Sequence, residues 1–509
     1  MSFWETIQSA LLYNENSVLL FTHFSFWIFF AMLLVGYTFV YNKNSLLKSA
    51  YLLIFSIFFY YKASGFYFLL LIFITLVNYY IAHAIHKTNS RTHQKTLVGI
   101  SVAINLGWLA YFKYTYFFAQ IIEQIFGIQI EVVNVFAVAI DYFTNGGSID
   151  VTQIILPVGI SFYIFQVISH TIDVYRHKIE PVRNIVDFGF YISFFPSLIA
   201  GPIIRASDFV PQIYQKYVLS AKELWMAIFL IINGLVKKIV VSNYISLNFV
   251  DRIFDDPTLY SGFELLMGSY GYTLQIYCDF SGYTDIAIGM ALLLGFRLPA
   301  NFNSPYKAHS ISDFWHRWHI SLSTWLRDYL YISMGGNRKG KIRTYINLFI
   351  TMLLGGLWHG ASYKFIIWGG LHGIILVIEK WWKQQVAGRL AWLRVPRVVG
   401  VLVTFHVVAF TWIFFRAADL DTALMFISRI FTQFHIAIVP DVIAGYSIVF
   451  GVMLAAYILH FLPTRYKQGY KKCFVALPIA VKLGIIVLLI FCMYQISSAA
   501  LQPFIYFQF

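Results

Sequence analysis

The spacing of apolar residues along this chain predicts helices that cross a membrane. Apolar runs close to the ~20 residues needed to span the hydrocarbon core of a bilayer recur from one end to the other. The clearest runs cover residues 18–41, 46–61, 65–85, 97–118, 154–169, 263–278, 364–379, 398–415, 443–461 and 475–500. We therefore predict an all-α polytopic integral membrane protein with about twelve transmembrane helices, plus re-entrant and amphipathic helices.

One apolar run, over residues 185–204, is not typical of a simple crossing. It has Arg183 before it and Arg205 after it, and Pro196 interrupts its helical pattern. Basic residues at both ends indicate that both ends lie on one side of the membrane. Broken backbone is tolerated at membrane depth only where it is buried in protein or lines a cavity. This run therefore predicts a re-entrant pair of half-helices.

The start of the chain differs from the runs that follow it. Phe3, Ile7 and Leu11 recur every four residues, so residues 1–17 are predicted to form a helix that lies along the membrane interface. No soluble domain, internal repeat or low-complexity linker interrupts the rest of the sequence. Residues 18–509 are accordingly predicted to form a single membrane domain.

The composition supports a membrane protein and argues against one that binds nucleic acid. Hydrophobic residues make up 59% of the chain and charged residues 12%, a balance that is not typical of soluble domains. The net charge is +14, but most Lys and Arg residues occupy short loops between apolar runs, which is the positive-inside pattern. We therefore expect contacts with membrane lipids, none with nucleic acid, and basic loops on the cytoplasmic side. The pair Lys237-Lys238 lies inside an apolar run and predicts a break there.

The stretch of residues 310–373 contains the candidate chemistry. Apolar residues between positions 311 and 329 follow the three-four spacing of one helix face, and His319 shares that face. His316 lies on the polar side, and Ser310 is placed to cap the N-terminus. We therefore predict one amphipathic helix over residues 311–329, with His319 directed toward its apolar side.

A second histidine ends a membrane-type helix. Basic residues at 338–343 precede an almost wholly apolar run over 345–358, and His359 follows directly. An ionisable side chain at membrane depth is costly and usually functional. The sixteen residues from Arg343 to His359 correspond to about 24 Å of helix. We therefore expect His359 to lie deep in the membrane or toward its outer half. It should be well separated from His319 along the membrane normal, unless the helix is strongly tilted or is broken at Gly355-Gly356.

Two other functions use similar features and stay open as alternatives. The His316-x-x-His319 spacing puts two imidazoles on roughly one side of a helix, as in histidine-rich membrane metalloenzymes, but such sites need several more close ligands. No such set accompanies this pair, so no metal is predicted. Broken helices and buried charges also occur in transporters, whose two halves often carry matching interrupted segments. This chain shows no matching pair.

Several blocks, in this order, resemble the membrane-bound O-acyltransferase (MBOAT) family over about residues 18–500. The central blocks run from Asp313 to His319, from Arg327 to Tyr329, and from Gly356 to Gly360. Supporting blocks lie at 156–162, 199–203, 279–283 and 414–417. The Trp-His-Arg-Trp-His form is similar to the bacterial branch that contains the membrane subunit of alginate O-acetylation.

The resemblance implies a fold, a reaction and two functional histidines. Helices of this family surround a central tunnel, and its two functional histidines correspond to His319 and His359 by motif match. The donor would be acetyl-CoA or another acyl thioester from the cytoplasm, with no tightly bound cofactor. The acceptor would be a hydroxyl of an extracytoplasmic polysaccharide, or a periplasmic or membrane-anchored partner acyltransferase. The chain would then be an O-acyltransferase of the bacterial cytoplasmic (inner) membrane.

Elementary chemistry supports these roles. Acyl transfer from a thioester needs a base to deprotonate the attacking hydroxyl and donors to hold the developing oxyanion. Imidazole suits the first task near neutral pH. We therefore predict His359 as the general base and His319 as the residue that positions the thioester or relays the proton. Residues predicted to support the site are Asp313, Arg317, Trp318, Arg327, Asp328 and Trp358.

Overall fold

The computed structural model describes residues 11–14, 18–144, 151–199, 201–385 and 396–497. Within these ranges the chain is mainly helical and contains no β-strand, which confirms the all-α prediction. The chain divides into two compact units. The first comprises Met1–Leu219 with Leu294–Leu298, and the second comprises Ser220–Leu293 with Pro299–Phe509.

The first unit is built from helices around an aromatic core. Phe26 and Phe59 are fully buried, with ring centroids 5.8 Å apart, and Phe195 packs against both. A single 3₁₀ turn, Gly65–Tyr67, joins the second helix to the third. In chain order the helices are α1 (Phe24–Val40), α2 (Ser45–Ser64), α3 (Phe68–Lys87), α4 (Arg91–Phe126), α5 (Val135–Thr144), α6 (Ile160–Tyr175), α7 (Ile185–Ser193), α8 (Phe195–Leu198) and α9 (Ala206–Ile213).

The second unit contains both candidate histidines. Short 3₁₀ turns lie at Pro257–Leu259, Pro305–Lys307 and Ile436–Ile438, and π-helical segments lie at Val236–Asn243, Ser246–Val250 and Leu326–Tyr331. Its α-helices are α10 (Ala221–Leu235), α11 (Asp251–Asp255), α12 (Gly262–Leu293), α13 (Ile311–Trp315), α14 (Ile320–Trp325), α15 (Lys341–His359), α16 (Tyr363–Gln385), α17 (Arg397–Arg416), α18 (Leu420–Thr432), α19 (Val439–Gly445), α20 (Ser447–Phe461), α21 (Thr464–Ala476) and α22 (Ile479–Ser497).

Several helical stretches are long and apolar enough to cross a membrane. In the described residues there are five: Ser45–Lys87, Arg91–Phe126, Ala221–Asp255, Tyr363–Gln385 and Arg397–Arg416. The number rises to seven if two sharply bent pairs, α18 with Ile436–Gly445 and α20 with α21, each form one span. The prediction of several crossings is confirmed, but the predicted total of about twelve is not. One reason is that the runs at 46–61 and 65–85 fall within a single 43-residue stretch.

Two local predictions have different outcomes. The predicted interfacial helix over residues 1–17 lies largely outside the described residues. Within 185–204, α7 ends at Ser193 and α8 covers only four residues, so this run is broken as predicted. Neither piece approaches the ~20 residues that a crossing needs.

The predicted break at Lys237-Lys238 is wrong, because the helix continues through it as the π-helical turns Val236–Asn243. Both ammonium groups pair with carboxylates on α12. Lys237 Nζ lies 2.7 Å from Asp285 Oδ2, and Lys238 pairs with Asp279, with only 2% of each side chain exposed in the latter pair. An opposite charge in direct contact offsets much of the cost of burying each ion. The neighbouring helix therefore lets two lysines remain inside an apolar run.

Glycine allows α15 and α16 to approach closely. A Cβ added at Gly356 would lie 2.3 Å from the backbone oxygen of Phe365, and one added at Gly369 would meet Gly356 in turn. Small residues at such crossings let two helix backbones come together. This contact sets the position of His359, which ends α15, relative to α16.

We expect Gly356→Ala to destabilise the protein, because the new methyl group would collide with a backbone oxygen held in α16. Overpacking of this kind typically costs about 1–3 kcal/mol. Thermal unfolding in detergent measures the effect. Gly355→Ala is the matched control, since its Cβ would meet only the flexible end of Leu326 at 3.3 Å. Similar melting temperatures for the two variants would contradict the close helix contact.

Candidate active site

The predicted continuous helix over residues 311–329 is wrong. It is interrupted between α13 and α14, where His319 has φ +41° and ψ 56°, in the left-handed region. Two backbone bonds explain the interruption: Ile320 N–H donates to Asn301 O at 2.9 Å, and Asn303 N–H donates to Arg317 O at 2.9 Å. The segment at 301–303 thus forms backbone hydrogen bonds with groups that a continuous helix would have paired internally.

His319 is fully buried and held by Asn301. The backbone N–H of Ser321 donates to Asn301 Oδ1 at 3.1 Å, which identifies that atom as the amide oxygen. His319 Nδ1 lies 3.2 Å from the same oxygen and must therefore be the protonated ring nitrogen. In the neutral imidazole, Nε2 then carries the lone pair. This nitrogen can accept a hydrogen bond or a proton.

Burial also controls the charge of His319. Its side chain is surrounded by protein, and the ring of Phe280 lies nearly perpendicular to it at a centroid distance of 4.7 Å. Desolvation lowers the pKa of His319 to about 3, so the imidazole is neutral at pH 7. Asn301 fixes the orientation of this neutral ring, which suits a positioning role.

His359 occupies an aromatic environment at the C-terminal end of α15. It is 4% exposed, and its ring centroid lies 5.1 Å from that of Trp368 and 5.1 Å from that of Phe415. Trp358, the preceding residue, has its ring 4.9 Å away. Three hydrophobic helices, α15, α16 and α17, thus supply the walls of this site.

One indole connects the two histidines. The ring of Trp358 contacts His359 and also lies 6.1 Å from the ring of His319. The predicted wide separation of the two histidines is therefore wrong. The length of α15 was predicted well, but the segment that carries His319 packs against the far end of that helix and not near its beginning.

Four tryptophans extend the wall around the histidines. Trp315, Trp318, Trp368 and Trp412, here called the indole cluster, form successive contacts with ring centroids 5.1–5.8 Å apart. A third histidine, His372, is also fully buried beside it. Its Nε2 lies 3.0 Å from Thr411 Oγ1, so this ring nitrogen has a hydrogen-bond partner within the protein.

The residues predicted to support the site divide into two groups. Trp318 and Trp358 are buried in aromatic contacts of the site. The charged residues instead pair with one another: Arg317 Nε donates to Asp313 Oδ1 at 2.7 Å, and Arg327 Nε donates to Asp328 Oδ1 at 2.7 Å.

The carboxylate of Asp313 is engaged by Arg317 and by His309 Nδ1, which lies 2.9 Å from Oδ2. His316 is exposed, as predicted, with its Nδ1 bonded to Ser312 O. The Ser310 cap is confirmed by its bond from Asp313 N–H.

Sequence reasoning missed several residues of the site. Asn301, Trp368 and Phe415 touch the two histidines, and none of them was predicted as a site residue. Asn301 and Phe415 belong to polar or aromatic motifs that stand out in the sequence, but spacing alone gives no reason to pair them with a histidine in a distant segment. In the described ranges no three His, Cys, Asp or Glu side chains come together closely enough to hold a metal ion.

Comparison with known proteins identifies the family. The family model for MBOAT, the membrane-bound O-acyltransferases, matches residues 140–418, more than half of the chain and a range that includes both histidines. This chain belongs to the membrane-bound O-acyltransferase family. The resemblance carried by the histidine blocks is thereby confirmed.

Three relatives of this chain are named as enzymes that modify polymers. The chain is 41% identical over 360 residues to the probable alginate O-acetylase AlgI of Pseudomonas aeruginosa, covering 69% of this chain and 63% of that protein. It is 35% identical over 410 residues to the peptidoglycan O-acetyltransferase of Helicobacter pylori, covering 75% and 74%. It is 31% identical over 278 residues to the teichoic acid D-alanyltransferase of Bacillus subtilis, covering 50% and 68%.

We expect Asn301→Ala to lower turnover, because it removes the oxygen that fixes the tautomer of His319 and leaves its Nδ1–H without that acceptor. A buried donor left unsatisfied costs about 1–3 kcal/mol, which corresponds to a loss of about 5- to 160-fold in kcat if it falls on the transition state. Measured kcat and KM for acyl transfer test this. The exposed Asn303→Ala is the control and should retain activity. Equal kcat values for both variants would show that Asn301 does not contribute to catalysis.

Proposed function

We propose that this protein is a membrane-embedded O-acyltransferase. It moves an acyl group, most simply acetyl, from a cytoplasmic thioester such as acetyl-CoA to a hydroxyl on the other side of the inner membrane. The observation that carries this proposal is the burial of His359 among aromatic rings, in contact with the same indole that contacts His319. Family membership supports the reaction class.

The names of the relatives support a polymer as the final acceptor. They refer to alginate, peptidoglycan and teichoic acid, which are all envelope or secreted polymers with hydroxyl groups. The match spans 63% of the P. aeruginosa protein, so the proposal does not extend to the identity of one polymer. The acceptor is an extracytoplasmic polysaccharide, reached directly or through a periplasmic or membrane-anchored partner acyltransferase. A central tunnel through the membrane would connect donor and acceptor.

In the proposed reaction, His359 acts as the general base. The acceptor oxygen attacks the carbonyl carbon of the thioester while the imidazole takes the hydroxyl proton. The carbon–sulfur bond then breaks, and the departing thiolate receives the proton from the imidazolium. The surrounding rings exclude water from this step, which limits hydrolysis of the thioester.

His319 is assigned to positioning. Its Nδ1–H is directed to Asn301, so Nε2 can accept a hydrogen bond from an N–H or O–H group of a substrate. The depressed pKa keeps this acceptor neutral across the physiological range. The arrangement thus gives the two histidines different roles: one fixes a substrate and the other moves a proton.

Trp368 is a candidate donor for the oxyanion that forms during the reaction. Its ring contacts His359, the side chain is fully buried, and its Nε1–H has no hydrogen-bond partner among the described residues. A buried donor of this kind is costly unless something binds it. A developing negative charge on the thioester oxygen is a group that an indole N–H can stabilise.

We expect His359→Ala to abolish O-acylation, since loss of a general base typically costs about 10²–10⁴-fold in rate. Mass spectrometry of envelope polysaccharides, from cells with and without the protein and from cells carrying the variant, measures the acyl content. His316→Ala is the control, because that exposed ring is outside the aromatic site. Normal acylation by a well-expressed His359→Ala protein would show that the proposed base is wrong.

Trp368→Phe should reduce kcat while keeping the ring packing, because it removes only the indole N–H and part of the ring. Loss of one oxyanion donor typically lowers kcat by about 10²–10³-fold. Trp382→Phe, at a position 44% exposed, is the matched control. A Trp368→Phe enzyme with unchanged kcat and unchanged melting temperature would exclude this N–H as the donor.

A further inference from the structure

The first unit contains a basic pocket that the proposed reaction does not use. It has a volume of about 310 Å³ and lies between the loop that joins α1 to α2 and the segment that follows α9. Three lysines, Lys43, Lys48 and Lys216, line it. Tyr41 and Tyr217 form part of its wall, with ring centroids 5.0 Å apart. This pocket is far smaller than a lipid but large enough for a headgroup.

The charge of the pocket is unbalanced. No Asp or Glu is among its lining residues, so the three lysines give it a formal charge of +3. Lys48 is 5% exposed, yet its ammonium makes only one hydrogen bond to the part of the chain that the structure describes, a long one of 3.4 Å from Nζ to Gln215 O. The nearby carboxylate of Asp187 accepts bonds from Tyr214 and Asn184 and forms no ion pair with this ammonium in the described structure.

A buried ammonium with unused donors indicates an anionic ligand. Nζ of Lys48 has three N–H groups, and the single long bond leaves at least two of them available. Removing such a group from water is costly unless an opposite charge and further hydrogen bonds compensate. Phosphate oxygens supply both, and lysine binds them as a compact point charge. The chemistry of the pocket therefore fits a phosphate ester.

The position of the pocket indicates where that phosphate comes from. α1 ends at Val40 and α2 begins at Ser45, so the pocket lies at the ends of two apolar helices. Beside it, Phe39 is 73% exposed, and Leu46 and Leu47 are about half exposed. Apolar side chains exposed next to a basic pocket are suited to acyl chains next to a charged headgroup.

We propose that this pocket binds the phosphate of an anionic phospholipid on the cytoplasmic side of the membrane. Lys48 donates to the phosphate oxygens from inside, and Lys43 and Lys216 add positive charge at the rim. The acyl chains lie along Phe39, Leu46 and Leu47. Basic pockets between membrane helices commonly bind acidic headgroups in this way, and the basic loop at residues 42–48 is expected on the cytoplasmic side. A water-soluble phosphate ester has the same head chemistry but no acyl chains.

Native mass spectrometry of the detergent-purified full chain tests the proposal. The probes are phosphatidylglycerol, phosphatidylcholine and coenzyme A, each titrated separately. We expect phosphatidylglycerol to bind at least about tenfold more tightly than phosphatidylcholine, as one charge-assisted contact would give. Lys48→Gln should remove most of this preference. Lys95→Gln, which deletes an exposed charge outside the pocket, should keep it.

A second variant keeps the test valid if Lys48→Gln does not fold. Lys43→Gln/Lys216→Gln changes only exposed side chains of the rim and should also weaken the preference for phosphatidylglycerol. Equal binding of the two lipids, or a preference that both pocket variants retain, would overturn the proposal. If coenzyme A binds in a lysine-dependent manner and phosphatidylglycerol does not, the phosphate chemistry stands and the lipid source is wrong. None of these results depends on acyl transfer by His359.

Discussion

The contact of Trp358 with both His319 and His359 is the interaction on which the candidate site depends. It joins the C-terminal end of α15 to a turn that comes from a separate segment of the chain. The close crossing of α15 and α16 at Gly356 holds one side of this contact, and Asn301 holds the other. The two imidazoles are therefore held in a fixed relation to each other.

Buried charge is the second constraint on this unit. Lys237 and Lys238 sit in π-helical turns and reach two carboxylates on α12, six residues apart along that helix. Phe280, next to Asp279 in sequence, is the ring that packs on His319. The two ion pairs thus fix the register of α12 against the π-helical turns close to the site. A helix rotated or shifted by one residue would lose the ion pair and the aromatic contact together.

The sequence was sufficient to predict features that repeat along the chain or lie in one element. Helical class, membrane character, the end of α15 at His359 and the cap at Ser310 all follow from local pattern. It was not sufficient where partners come from distant segments. The turn at His319 forms because the backbone at 301–303 makes hydrogen bonds to the residues on either side of it. The apolar periodicity within 311–329 does not predict these bonds.

The rise per residue of a helix likewise predicts distances within one helix and not contacts between distant segments. It gave the distance from Arg343 to His359 along one helix, but said nothing about where the segment bearing His319 folds back. The lysines at 237 and 238 were read as a break because their carboxylate partners lie more than forty residues away. Family motifs identified the two histidines, whereas the indole cluster around them required the three-dimensional contacts.

The left-handed backbone of His319 limits how this position can change during evolution. Most side chains lose about 1–2 kcal/mol in that conformation, whereas Asn and Asp tolerate it better and Gly adopts it freely. The turn would therefore admit only a few replacements without also shifting Asn301 and α14, whatever their chemistry. Residue 319 is therefore under two constraints at once, the left-handed backbone and the imidazole chemistry. A substitution that removes the ring would keep the turn only if it introduced Gly, Asn or Asp.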